Sequence, residues 1–351
     1  MDICSRIEHS CNLARTWLPP IDTHDKIIIM NSFTGNDPTI LSPFLSKYID
    51  FLSPYTSILG LSGKNNIPRE DDCVASGIVF FYGCMFYIMH FPSWGIHIED
   101  IFLYDLLYIL VDHYIDDIRI EPSVKSKSID QMFILIADPL AYKLIPDIDP
   151  ILITIADIYH RLCIRCPSAK KSIITLFKAE IEGLSIQKDN SLSREKYYDI
   201  ALRKGGYTVQ LLQTIVGNKE KEIDNAAYKI GEIMQVLDDM LDVMSDQKNG
   251  INTIATYDLT NKGCLDELWI DTIKRINEID TRFTIFKILY TIFAVYIPDR
   301  IPQAYSPLLR SYTKPINIFD YGYGCDGSAI LVESIMNGIF AREILQQKVN
   351  T

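Results

Sequence analysis

A chain of 351 residues, 48% of them hydrophobic, is long enough to bury one large core or two small ones. Its formal net charge of −11 argues against a nucleic-acid surface, which needs clustered Lys and Arg. The same field would repel an anionic substrate unless metal ions intervene.

The N-terminal stretch "MDICSRIEHSCNLARTW" carries charges and no apolar h-region, so no signal peptide is expected and the protein reads as soluble and cytoplasmic. The eight cysteines are dispersed in a long chain and read as reduced, mostly buried thiols. "GIVFFYGCMFYIMHF", Gly77 to Phe91, falls short of the roughly 18 to 20 residues of a membrane span and reads as a buried core helix. Further along, "IEDIFLYDLLYILVDHYIDD", "PILITIADIYHRLCIR", "SAKKSIITLFKAEIEGL", "SREKYYDIALRKGGYTVQLLQTIVG" and "NAAYKIGEIMQVLDDMLDVMSD" show apolar 3-4 spacing. "DTIKRINEIDTRFTIFKILYTIFAVY" and "GSAILVESIMNGIFAREILQQK" continue the same pattern. In "HRLCIRC", His160, Cys163 and Cys166 lack the second pair that a zinc site needs. Short Pro, Gly, Asn and Asp punctuation separates these helical segments, and period-2 runs are short and isolated. No Gly/Ser-rich or Pro-rich linker and no solenoid repeat divides the chain. The expectation is an all-α, single-domain helical bundle: an N-terminal segment over 1–30 and one domain over 31–351, with inner helices ringed by outer ones.

Two acidic segments stand out. "LYILVDHYIDD" holds Asp112, His113, Asp116 and Asp117, of which Asp112 and Asp116 are i,i+4 and share a helix face. "MQVLDDMLDVMSDQKNGINT" holds Asp238, Asp239, Asp242 and Asp246, with Asp238, Asp242 and Asp246 continuing one face. Like charges at i,i+4 repel, Asp is a poor interior helix former, and the C-terminal end of a helix disfavours anions. Hard cations resolve the conflict: Mg²⁺ takes oxygen ligands and is shared between carboxylates and substrate phosphates. Acidic clusters at the ends of greasy helices suit a diphosphate held through Mg²⁺, with a hydrocarbon tail in the apolar bundle. The bland alternative is a pair of solvated acidic faces. The EF-hand pattern does not fit, because the glycine of "SDQKNGIN" falls at the wrong place.

From about Phe80 to Tyr312, these residues resemble the class I terpene synthases and their relatives, the trans-prenyl diphosphate synthases. "FPSWGIHIEDIFLYDLLYILVDHYID" is similar to the stretch leading into the first aspartate-rich motif of microbial terpene synthases. That match makes Asp112 the leading and Asp116 the trailing metal ligand, with His113 where a second Asp often stands. "LDDMLDVMSD" resembles the second motif, which implies Asp238, Asp242 and Asp246 as ligands, although the family usually carries Asn, Ser/Thr and Glu there. "NGINT" resembles the residues immediately C-terminal to that motif in terpene synthases. "AEIEGLSIQKDNSLSREKYYDIALRKGGY" resembles the segment ending in the diphosphate sensor, which implies Arg203 in that role, Lys204 as a second phosphate contact, and a helix break at Gly205 and Gly206. "LLRSY" offers Arg310 and Tyr312 as the C-terminal Arg-Tyr pair of diphosphate contacts.

The resemblance implies a class I isoprenoid synthase fold around an apolar cavity and three Mg²⁺, with Mn²⁺ able to substitute. It also implies a carbon–oxygen lyase that ionises and cyclises a prenyl diphosphate, farnesyl diphosphate being the expected substrate, to a cyclic sesquiterpene. Asp112, Arg203 and Asp238 would carry the chemistry. Aromatic faces stabilise cations, and Phe81 and Tyr108 are the candidate pocket residues. Besides the substrate, a homodimer is allowed, while no nucleic acid and no membrane span is expected. Two alternatives stay open. A chain-elongating prenyl diphosphate synthase would use isopentenyl diphosphate; "LSGKNNIPRE", with Lys64 and Arg69, "RKGGYTVQLLQ" and the all-Asp second motif lean that way. A helical interaction protein would bind no ligand through Mg²⁺.

Overall fold

The structure, a computed structural model, describes residues 2–17, 51, 98–116, 120–187, 189, 191–215 and 221–280, and, in the last stretch, 283, 287, 290, 291, 294, 295, 297, 298 and 301–313. The expected helix at Gly77 to Phe91, Phe81, Lys64, Arg69, Asp117 and the last expected helix lie outside these residues. Among the described residues the chain is all-helical, with no strand. No helix there is long and apolar enough to cross a membrane.

By its internal contacts the chain forms two compact units: Met1–Ile49, Ser193–Tyr198 and Ile233–Thr351 make one, Asp50–Leu192 and Asp199–Glu232 the other. Two of the boundaries between them fall inside helices, α6 (Arg194–Ile215) and α7 (Lys221–Leu241). Helices that run from one unit into the other leave no linker between them for composition to mark.

The second unit is built on α2 (Ile98–Asp116), in which every residue from Ile101 to Leu107 is buried. A helix apolar all round must be enclosed, and α2 packs against α4 (Pro150–Arg165) and α5 (Ala169–Ile186), while α3 (Pro122–Ala137) packs on α4. Each fully buried Leu, Ile or Phe contributes about 1.5–3 kcal/mol. Local chemistry sets the ends. Asp149 accepts a hydrogen bond from the Ile151 amide at 3.0 Å and Pro150 takes the first position of α4, both good helix starters. At the far end of α4, Arg165 bridges to Glu99 at 3.1 Å and to Asp100, the acidic first turn of α2, a pairing that suits both helix dipoles. His160 is committed to the Leu135 carbonyl at 2.9 Å, a structural role.

In the first unit, α1 (Ile3–Trp17) packs on α10 (Asp266–Asn277) and α11 (Leu309–Thr313). Trp269 is wholly buried and its Nε1–H donates to the Ala294 carbonyl at 2.6 Å, which satisfies the indole inside the core. Between α8 (Val243–Asn249) and α9 (Ile254–Lys262), "NGINT" acts as punctuation. Gly250 sits at φ 67°, the left-handed stop that glycine adopts most cheaply, and the Thr253 hydroxyl accepts from the Thr256 amide at 3.3 Å in a capping box. The described cysteines, Cys4, Cys11, Cys163, Cys166 and Cys264, form no disulfide.

Candidate functional site

The second acidic segment spans the junction of α7 and α8. Asp242 stands between the two helices, yet its amide donates to the Asp238 carbonyl at 2.9 Å and its carbonyl accepts from the Asp246 amide at 2.9 Å. The α-helical ladder therefore carries across the junction, and Asp238, Asp242 and Asp246 stay close to one face. Asp238 and Asp242 are exposed and Asp246 half-exposed. Asp239 points the other way: it is buried, and Gln235 Nε2 donates to it at 3.0 Å and to Asp238 at 3.4 Å. Neighbouring aspartates thus have opposite roles, one in the core and one facing water. As a donor set Asp238, Asp242 and Asp246 offer only carboxylate oxygens, which fit a hard cation in kind. Among the described residues, no three His, Cys, Asp or Glu side chains converge on one metal-sized point.

The first acidic segment closes α2, in the other unit. Asp112, His113 and Asp116 are helical, and nothing beyond their backbone is described. Positions 104, 108, 112 and 116 succeed each other at i+4 along α2 and so share one stripe of that helix. The first two are tyrosines, with ring centroids 6.4 Å apart, and both line a cavity.

That cavity is walled by Tyr104, Leu107, Tyr108 and Val111 from α2, by Ile173, Leu176, Phe177 and Glu180 from α5, and by Leu211 from α6. As it stands it has room for about one water, so a prenyl chain would have to spread these helices. The Tyr104 hydroxyl donates to the Thr208 carbonyl at 2.9 Å; burial first, and then the nearby Glu180 charge, push its phenol well above the usual range. Tyr104 is therefore neutral, and its proton is already engaged. Glu180 is buried, and Lys204 Nζ lies 2.8 Å from its Oε2.

Arg203, the neighbour of Lys204, is held by two carboxylates. Its Nε and Nη2 donate to Asp199 at 3.0 and 2.9 Å, and its Nη1 donates to Glu182 at 2.8 Å. These bonds raise the pKa of the guanidinium further, Glu182 having the larger effect. The consecutive cations Arg203 and Lys204 thus meet Glu182 and Glu180 across two helices.

The expected helix break at Gly205 and Gly206 does not occur: α6 is helical throughout. The glycines serve a close helix crossing instead. A Cβ on Gly231 of α7 would come within 1.9 Å of the Gly205 carbonyl oxygen, and one on Gly206 within 2.6 Å of the Tyr228 ring. The absent side chain is what matters at these positions, since φ stays helical.

Arg310 and Tyr312 lie on the short α11 of the first unit. Tyr312 stands beside Cys4, with Glu8 and Asp2 near enough to raise its phenol pKa after desolvation. Acidic neighbours of this kind do not favour an anion there.

Sequence reading passed over three charged groups. Glu180 continues the spacing Ile173, Leu176, Phe177 on the buried face of α5, so an acid where a leucine belongs was the available signal. Asp105 sits inside the run "LYDLLYILV", wholly buried, and burial pushes its carboxyl well above the usual carboxylate range. Asp258, also wholly buried, pairs with Arg194, 64 residues away in sequence. A pair so distant leaves no local trace.

No protein-family model and no curated protein sequence matches this chain.

Proposed function

We propose that this protein ionises a prenyl diphosphate in a Mg²⁺-dependent reaction and folds the resulting allylic cation into a cyclic hydrocarbon, farnesyl diphosphate being the favoured substrate. One observation carries the reading. Along a single stripe of α2, tyrosines lining an apolar, aromatic cavity are succeeded one and two turns later by the positions of Asp112 and Asp116. An apolar, aromatic hollow continued by carboxylates on the same helix matches an amphiphile with a hydrocarbon tail and an anionic head reached through cations.

Asp112 and Asp116 are residues that would hold Mg²⁺, and Asp238, Asp242 and Asp246 make a second set that would do so. Bound there, the metal would supply Lewis-acid stabilisation of the negative charge growing on the leaving diphosphate. Arg203 would add a guanidinium to that stabilisation once the diphosphate displaces Glu182 or Asp199 from it. Tyr104, Tyr108 and Phe177 would present ring faces to the cation, while Leu107, Val111 and Leu211 exclude water. An inner-and-outer helical arrangement around that cavity, of the class I isoprenoid synthase type, belongs to the same proposal.

The test is incubation of the purified full chain with Mg²⁺ and geranyl, farnesyl or geranylgeranyl diphosphate, each with and without isopentenyl diphosphate. Diphosphate release and an extractable cyclic product from farnesyl diphosphate alone are expected. Consumption that depends on isopentenyl diphosphate would identify a chain-elongating synthase instead, and no diphosphate release from any of the three would end the reading.

A further inference from the structure

We infer that Glu180 is the proton acceptor of the cavity, the carboxylate that ends the reaction by taking a proton from the hydrocarbon cation and thereby selects which alkene leaves. This rests on the function proposed above and adds to it the residue that terminates the chemistry.

Glu180 is the one charged side chain among the described cavity-lining residues, and its side chain is 5% exposed. A buried ion pair such as Glu180–Lys204 is a weak source of stability, since two apolar residues of similar volume often hold a core as well or better. Stability alone therefore gives little reason for an acid at this place in an apolar wall. Chemistry gives a better one. The aromatic rings can stabilise a cation and cannot accept its proton, and the Tyr104 hydroxyl is neutral and bound to the Thr208 carbonyl. Lys204 Nζ lies 2.8 Å from Oε2 and outside the cavity lining, so the cavity wall holds one carboxylate with an ammonium behind it.

The step balances. A C–H bond beside the cationic carbon breaks, its electron pair becomes the π bond of the alkene, and the proton forms an O–H bond on Glu180. Cation and carboxylate become two neutral molecules, Lys204 remains an ammonium, and Glu180 returns the proton to water when the cavity opens.

The experiment compares wild-type full chain with Glu180→Gln and Glu180→Asp, each given Mg²⁺ and geranyl, farnesyl or geranylgeranyl diphosphate separately. Diphosphate release and the product ratio are read in parallel. Glu180→Gln keeps its volume and loses its base. Whatever its rate of diphosphate release, the share of the main alkene should fall by about tenfold or more in favour of isomeric alkenes or alcohols. A purely structural role would lower the rate and leave the ratio unchanged, and an unchanged ratio overturns the inference. Helical circular dichroism checks folding; should Glu180→Gln not fold, Glu180→Asp decides: its carboxylate stands one methylene further back, so the share of the main alkene should change, and an unchanged share overturns the inference. A wild type that releases no diphosphate sinks the proposed function and this inference together, whereas an active wild type with an unaltered variant ratio sinks only the inference.

Discussion

Each unit contains an arginine held by carboxylates, and the two differ in what surrounds them. In the first unit, Arg194 is bidentate to Asp258 at 2.7 and 2.8 Å, and Asp258 is wholly buried. Lys262 reaches the same carboxylate at 3.4 Å. The guanidiniums of Arg194 and Arg275 lie 5.4 and 5.1 Å from the Tyr198 ring centroid, so the charge is packed as well as paired. In the second unit, Arg203 is divided between Glu182 and Asp199, both partly open to solvent. A dry bidentate pair is costly to break, because the partner left behind is a buried charge without compensation. A wet, divided one costs little to undo and leaves a cation that a stronger anion can take over.

The largest effect should come from breaking the dry pair. Asp258→Ala strands Arg194 in a half-buried setting and should lower unfolding stability by about 3 kcal/mol or more, as breaking buried pairs does, read from urea midpoints. A loss below about 1 kcal/mol would place this pair with ordinary surface bridges.

A smaller and pH-dependent effect should come from Asp105. Its carboxyl ordinarily titrates at 3.8, and burial holds it well above that value in the folded chain. Between those two values the folded state keeps a proton that the unfolded state has lost. Stability therefore falls as pH rises from 3.8, by up to about 1.4 kcal/mol per pH unit, until the folded group itself ionises. Asp105→Asn cannot lose a proton and should remove that slope. Urea midpoints of both proteins from about pH 4 to 7 measure it, and parallel curves would show that Asp105 does not titrate on unfolding.

Much of the helical order was legible in the sequence because apolar 3-4 spacing reflects burial directly, and the starts and stops obey local rules. Asp149 with Pro150, Gly250 and Thr253 mark helix ends by chemistry that a few neighbouring residues contain. What escaped depends on contacts distant in sequence. The resemblance implies a break at Gly205 and Gly206, yet the helix runs through them and packs there against Gly231 and Tyr228 of another helix. Asp105 and Glu180 belong to no acidic group, and each is a lone carboxylate buried on an apolar helix face. Asp238 and Asp239 differ in exposure although adjacent, as helical phase requires, and phase could have separated them in advance.

The smallest expected effect on stability is the one that bears most on function. Arg203→Met removes a cation whose partners Glu182 and Asp199 stay partly hydrated, with side chains 35% and 56% exposed. Unfolding stability should drop by less than about 1 kcal/mol, the range of surface pairs. If Arg203 takes up the leaving diphosphate, the same variant should slow Mg²⁺-dependent diphosphate release by about 100-fold, the scale for losing one donor to developing charge. Arg194 makes the control, since it is tied to the buried Asp258 and has no part in the proposed site. Arg194→Met should lose stability, and its folded fraction should release diphosphate at close to the wild-type rate. The two arginines would then separate, one by denaturation and the other by turnover. Should Arg203→Met instead unfold as readily as Asp258→Ala while its folded fraction keeps full turnover, Arg203 belongs with Arg194 as a strut, and the diphosphate must be met by other groups.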